Sequence, residues 1–252
     1  MSYRDQGKYV DLKINGRLYP SWILANYRNF KVPEYLISET SDPCNRKTKL
    51  ELRSYQLFIS KYMDYRSPHR DILLYHGLGS GKTASAINIY NMLYNYTPAW
   101  NTFILLKATL RDSTWMKELE RFLSKDEFEF RMKNIVFISY DSPIADKQFL
   151  EAVKNSDSTK RSLYIVDEAH NFFRNVYSNI NSKQGRRAQT IYDYILQDKK
   201  ENEGVRVVLL SGTPAINTPY ELALIYNLLR PGTFPKSEAN LIKYMLLQME
   251  NQ

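Results

Sequence analysis

The chain has 252 residues, 43% hydrophobic and 25% charged, which suits one large domain with a buried core and leaves room for a small appendage. No run approaches the roughly 18 uninterrupted apolar residues of a membrane span, the N-terminus lacks the apolar centre of a secretory leader, and a lone cysteine, Cys44, excludes an internal disulfide or a cysteine-rich metal centre and suits a reducing compartment. A formal charge of +8 favours polyanions such as nucleic acid, through phosphate neutralisation and counterion release.

In chain order, residues 9–14 alternate apolar and polar, Asn15-Gly16 is a favoured two-residue hairpin turn, and 17–19 supply a returning strand. Trp22, Ile23, Leu24 and Tyr27 follow at helical spacing until Pro33, and 38–49 are polar enough for a linker. Residues 1–50 therefore read as a small appendage, with Trp22 and Tyr35 as packing residues. From 51 to 252 short apolar runs alternate with helix-patterned segments, the signature of βα units. Strands are predicted at 72–75, 103–106, 135–138, 163–166 and 205–210, and helices at 52–64, 83–96, 112–124, 145–155, 187–199 and 218–229. The strand runs are apolar throughout, so the fold class is α/β, a mostly parallel sheet with helices on both faces. The polar stretch 171–187 reads as a mobile loop whose Lys183, Arg186 and Arg187 are within reach of a phosphate backbone.

His76-Gly77-Leu78-Gly79-Ser80-Gly81-Lys82-Thr83 follows the first of these strands and opens a helix, the context a phosphate-binding loop requires. Its glycines let backbone N–H groups face phosphate oxygens, and the helix N-terminus adds partial positive charge. Lys82 is placed to neutralise the outer phosphates of ATP and Thr83 to ligate magnesium. His76 stands where the generic pattern has glycine, which predicts a local change of loop geometry.

The strand at 163–166 runs into Asp167-Glu168-Ala169-His170. Two carboxylates at the C-terminal edge of a parallel sheet share that edge with the phosphate loop. Asp167 suits magnesium, and Glu168 suits a general base for the attacking water. An acidic helix cap is the plainer alternative, and the loop at 77–83 argues against it.

Asp167-Glu168-Ala169-His170 after an apolar strand resembles motif II of superfamily 2 helicases and translocases, and Ser211-Gly212-Thr213-Pro214 resembles their motif III. The resemblance implies a RecA-like P-loop NTPase domain in which His170, Ser211, Gly212 and Thr213 couple nucleotide state to the nucleic-acid track. Leu52-Arg53-Ser54-Tyr55-Gln56 is similar to the glutamine motif, which implies that Gln56 reads adenine. Lys107-Ala108-Thr109-Leu110, with Trp115 and Glu118 beyond, resembles motif Ia of SWI/SNF-type translocases, and Ile138-Ser139-Tyr140-Asp141 resembles the next strand-end motif. By that resemblance Lys107, Thr109 and Arg111 contact phosphates. Across roughly 52–230 the motifs also look like the early-transcription-factor small-subunit and nucleoside triphosphate phosphohydrolase families of large cytoplasmic DNA viruses. They imply a cytoplasmic viral factory and the virion as locations.

Superfamily 2 motors hold ATP between two RecA-like domains, and after Thr213 no second sheet or arginine-finger motif is legible. The expectation is a first motor domain that binds nucleotide and, without its arginine finger, hydrolyses it poorly. Its expected partners are the second RecA-like domain, double-stranded DNA in preference to RNA, and a viral transcription factor subunit or RNA polymerase. A helicase is the alternative within the class. A promoter-binding or scaffold module with a regulatory nucleotide site is the alternative outside it, while a small-molecule kinase fits poorly with the acid pair and Ser211–Pro214.

Overall fold

A computed structural model of the chain describes residues 13–14, 17–30, 52–182, 185–213 and 218–250. The Asn15-Gly16 turn, Pro33, Tyr35, the polar stretch 38–49, Cys44, Lys183 and Pro214 lie outside the described residues. Near the N-terminus Lys13–Ile14 (β1) pairs antiparallel with Arg17–Leu18 (β2), and Tyr19–Tyr27 (α1) follows. From α1, Trp22 meets His69 edge-on at 5.4 Å between centroids, and Tyr27 meets Phe58 at 5.2 Å.

The centre is a five-stranded parallel sheet of Asp71–Tyr75 (β3), Trp100–Leu106 (β4), Ile135–Ser139 (β5), Arg161–Val166 (β6) and Arg206–Ser211 (β7). The strand order is β3-β7-β6-β4-β5, so β7, last in sequence, lies between β3 and β6. Alternation along each strand divides the core. Phe103, Leu105, Tyr164, Val166, Val207 and Leu209 face one layer of helices, while Ile104, Leu106, Leu163, Ile165, Val208 and Leu210 face the other.

The second layer contains Ser54–Tyr62 (α2) and Lys82–Tyr96 (α3). A continuous helical run completes it: Ala108–Leu110 (α4), a π-helical turn Arg111–Trp115, and Met116–Phe122 (α5). Lys125–Arg131 (α6) was not foreseen, although Ser124 and Glu127 cap it reciprocally. The first layer holds Ala145–Lys154 (α7), Ala169–Asn181 (α8), Arg187–Glu201 (α9) and Pro219–Leu229 (α10), with Glu238–Glu250 (α11) beyond.

Two expectations need correction. Where a mobile polar loop was predicted from 171 onward, the chain forms α8. Ala169, Phe172, Phe173 and Val176 fall at i, i+3, i+4 and i+7, and all four are fully buried, so one apolar stripe orders a helix whose other faces are polar. Strand β4 also starts earlier than its apolar run. Trp100 is buried with its indole N–H donating to the Leu93 carbonyl at 3.2 Å, and the Asn101 amide donates to the Asp157 carbonyl at 2.8 Å.

Buried cations tie the layers to the sheet edge. The Arg206 guanidinium donates to the carbonyls of His69 at 2.7 Å and Tyr65 at 3.1 Å, pinning the segment that enters β3. Lys199 lies 2.8 Å from Asp71 and donates to the Leu229 carbonyl at 2.9 Å, capping the C-terminus of α10.

Candidate functional site

The loop between β3 and α3 turns where only glycine is comfortable: Gly79 and Gly81 have φ of +74° and +78°. Around Gly77 and Gly79 a Cβ would meet nothing within 4 Å, so the loop's outer side is open, and Leu78 stands exposed at its crest. Gly81 is the opposite case, because a Cβ there would come within 2.7 Å of the Gln56 amide nitrogen. That nitrogen donates to the Gly81 carbonyl at 3.2 Å, and the Gln56 oxygen accepts the Arg53 N–H at 2.8 Å. Buried in this way, Gln56 ties the start of α2 to the loop. Tyr55 adds a hydroxyl bond to the Ser80 carbonyl.

His76 keeps a strand role, since its N–H donates to the Ser211 carbonyl at 3.1 Å and extends the β3–β7 ladder by one rung. A side chain is tolerated there because the backbone has not yet begun to turn. Burial and then the charge of Lys82 hold the His76 imidazole below its ordinary pKa. Lys82, the first residue of α3, folds its ammonium back onto the carbonyls of His76 at 3.1 Å and Gly77 at 3.3 Å. Thr83 is half-buried one residue on, and the Ser80 hydroxyl is buried without a hydrogen-bond partner.

Because Tyr75 pairs with Ser211 and Val166 pairs with Leu209, the end of β7 stands between the loop and the acid pair. A Cβ at Gly212 would lie 3.8 Å from the Lys82 ammonium. Asp167 is 5% exposed, and both carboxylate oxygens accept N–H groups: one from Glu168 at 2.9 Å, the other from the Trp115 indole at 2.7 Å. Burial raises its pKa, against the lowering effect of those bonds. Glu168 has φ of +46° and ψ of +50°, and is the sole non-glycine at positive φ among the described residues.

His170 reaches across to β7. Its Nδ1 lies 2.9 Å from the Ser211 hydroxyl and 3.4 Å from the Glu168 carboxylate, and its Nε2 lies 2.9 Å from the Asn171 amide nitrogen. The Ser211 hydroxyl donates to the Thr213 carbonyl at 2.6 Å, so its oxygen must accept from Nδ1–H, while Nε2 accepts from Asn171. That tautomer is assigned from the network. Burial depresses the His170 pKa and keeps the ring neutral. The Tyr140 hydroxyl donates to the Asp167 carbonyl at 3.3 Å from below.

Lys107 stands half-buried at the end of β4, while Thr109 and Arg111 are exposed on the helical run beyond. Arg111 pairs with Asp112 at 3.7 Å and lies over the Phe137 ring. Sequence reasoning missed the contacts of Tyr140 and Asn171 altogether. Trp115 was legible only as part of a motif, since hydrogen bonds across 52 positions leave no trace in local pattern.

A phosphate-loop strand and an acid-pair strand, separated by one strand of a parallel sheet, define a RecA-like P-loop NTPase domain. The family described as type III restriction enzyme, res subunit, matches residues 49–215, and the chain belongs to this helicase-type family. A candidate ATP-dependent RNA helicase of Acanthamoeba polyphaga mimivirus is 56% identical over 94% of this chain and 30% of its own length. Nucleoside triphosphatase I of Heliothis armigera entomopoxvirus is 26% identical over 87% of the chain and 32% of its own length. The Sulfolobus solfataricus SWI2/SNF2 ATPase core, solved in complex with double-stranded DNA, superposes with a TM-score of 0.52 at 18% identity, over 81% of this chain and 40% of that one. Its likeness shows the same fold. The chain thus spans about a third of the length of these curated relatives, both of them viral. No described helix is long and apolar enough to cross a membrane.

Proposed function

We propose that this chain is the ATP-binding half of a nucleic-acid-dependent ATPase motor. The observation that carries the reading is the junction at β7, where Ser211 bonds to His170 at 2.9 Å and the next residue, Gly212, borders Lys82. The coupling turn thereby stands between the phosphate loop and the acid-pair segment and borders both.

The residues fit a magnesium nucleotide. The loop offers open space at Gly77 and Gly79 and a buried, unpartnered Ser80 hydroxyl. Asp167 is a buried carboxylate whose charge burial opposes, beside a second acid, and a divalent cation offsets both effects. Thr83 and Asp167 would hold the metal, which when bound would neutralise charge on the β- and γ-phosphates. The backbone of residues 77–83 cradles the phosphates, and Lys82 leaves its loop carbonyls to pair with them. Glu168 orients the attacking water and takes its proton. Gln56 reads the adenine edge with its amide, which in this structure rests on the Gly81 carbonyl and the Arg53 N–H. Neutral His170 passes the state of Glu168 to Ser211, and thence to Gly212 and Thr213. Lys107, Thr109 and Arg111 are the phosphate contacts on the track.

Double-stranded DNA is the favoured track and RNA the other, with the relatives' names pointing both ways. A second RecA-like domain, a role in viral early transcription beside a transcription factor subunit or RNA polymerase, and residence in a cytoplasmic viral factory and the virion complete the reading.

The test is ATP hydrolysis by the full-length protein with double-stranded DNA, single-stranded DNA or RNA, against Glu168→Gln. Stimulation by one of these at least tenfold, lost in the variant, is expected. An equally low rate under every condition, unchanged by the variant, would overturn the motor and leave a regulatory nucleotide site on a scaffold or promoter-binding module.

A further inference from the structure

The Trp115–Asp167 hydrogen bond is unlike the other buried indole contact of the domain. Trp100 satisfies its N–H on a backbone carbonyl, that of Leu93. Trp115, fully buried, spends its N–H on a carboxylate at 2.7 Å instead. An indole N–H is a donor only, so the bond exists in one sense, with the Asp167 carboxylate accepting. With the Glu168 N–H on the other oxygen, the Asp167 carboxylate is gripped at both ends and its plane is fixed. The remaining lone pairs then point in set directions, which is what a metal with strict octahedral demands requires of a protein ligand.

The indole owes its place to an irregularity. Arg111–Trp115 is wound as a π-helical turn between α4 and α5. The Ser113 hydroxyl within it donates to the Thr109 carbonyl of α4, and Asp112 pairs with Arg111. A π turn inserts an extra residue, and each residue rotates an α-helix by about 100°. Without the insertion the helix beyond would be turned by about 100°, taking the indole out of line with Asp167. The same short run begins at Lys107 and carries Thr109 and Arg111 on its exposed side.

We infer that Trp115 is a positioning residue for the metal-holding carboxylate, joining Asp167 to the exposed loop at 107–111 through the π-helical turn. The inference rests on the magnesium-nucleotide reading above. It makes the orientation of Asp167 depend on the placement of a surface element that phosphate contacts can shift. Outer partners of metal ligands typically contribute 10–100-fold in metal affinity.

The experiment titrates magnesium into this chain with a fluorescent ATP analogue, for wild type and Trp115→Phe, beside a magnesium-free nucleotide titration. Trp115→Phe keeps an aromatic ring in the core and removes the N–H together with part of the indole's volume, and the magnesium-free nucleotide titration separates the two losses. The variant's magnesium midpoint should rise 10–100-fold, with magnesium-free nucleotide affinity within about twofold. In the wild type, the indole N–H resonance of Trp115 should shift when magnesium and nucleotide are added together, while those of Trp22 and Trp100 stay in place. That measurement stands even if the variant fails to fold. A folded variant with the wild-type midpoint, or a Trp115 resonance that does not move, would reduce the bond to packing and overturn the inference. A wild type that binds no nucleotide would overturn the reading of the site itself, and this inference with it.

Discussion

At the scale of single residues, Glu168 carries a backbone conformation that disfavours its own side chain. The left-handed region costs a non-glycine residue roughly 1–2 kcal/mol, and Glu168 occupies it at φ of +46°. The turn is needed because β6 must end and α8 must begin within two residues, keeping both acids on the sheet edge. Glu168→Gly should therefore melt at or above the wild-type temperature while losing hydrolysis, whereas Glu168→Val should melt below it, since branching at Cβ adds to the cost glutamate already bears. Thermal melts of the two variants settle it, and equal midpoints would show that no strain is stored there. This residue was legible in the sequence as an acid after a strand, but its φ was not, since nothing in the string Asp167-Glu168-Ala169-His170 distinguishes a left-handed turn from an ordinary cap.

At the scale of elements, α8 separates what composition reveals from what periodicity reveals. Asn171, Arg174, Asn175, Ser178, Asn179 and Asn181 make its sequence look solvated, and the polar content hid the stripe of Ala169, Phe172, Phe173 and Val176. The parallel strands were legible because a strand buried on both faces is apolar throughout, as β6 and β7 are at Leu163–Val166 and Val207–Leu210. Where polar residues are buried with partners, as at Asn101 in β4, the pattern falls short of the element. Phe172→Ala and Phe173→Ala should each cost about 3–5 kcal/mol, the usual loss for an aromatic ring removed from a packed core. Urea unfolding measures this directly, and a loss below about 1 kcal/mol at both would restore the loop. The loop at 77–83 and the acid pair were legible because their chemistry is local. The contacts that orient them, Gln56 on Gly81 and Trp115 on Asp167, join distant segments and appear only once the chain is folded.

At the scale of the whole molecule, the edge beside β3 gives the fold a pH dependence. His69 is buried, stacked on Tyr62 at 4.0 Å between centroids and edged by Trp22, with Arg206 and Arg230 adding repulsion. Burial first, then those two arginines, pushes its pKa from 6.5 down to about 4. The unfolded chain takes up a proton near the ordinary value and the folded one resists it. Stability is thus full above pH 6.5 and falls as pH descends toward 4, by up to roughly 3 kcal/mol. Urea unfolding at pH 7.5 and pH 5 should show the loss, and His69→Phe should flatten it. An unchanged slope in that variant would assign the acid sensitivity elsewhere.

The placement of β7 between β3 and β6 makes the sheet a caliper with fixed jaws. The strands that lead into the phosphate loop and the acid pair are set apart by two interstrand gaps, about 10 Å in all, held by backbone ladders on both sides of β7. Widening that gauge means tearing a parallel ladder, so any fit to an occupant falls to the loop and the side chains at the sheet edge, within reach of whatever approaches that edge from outside.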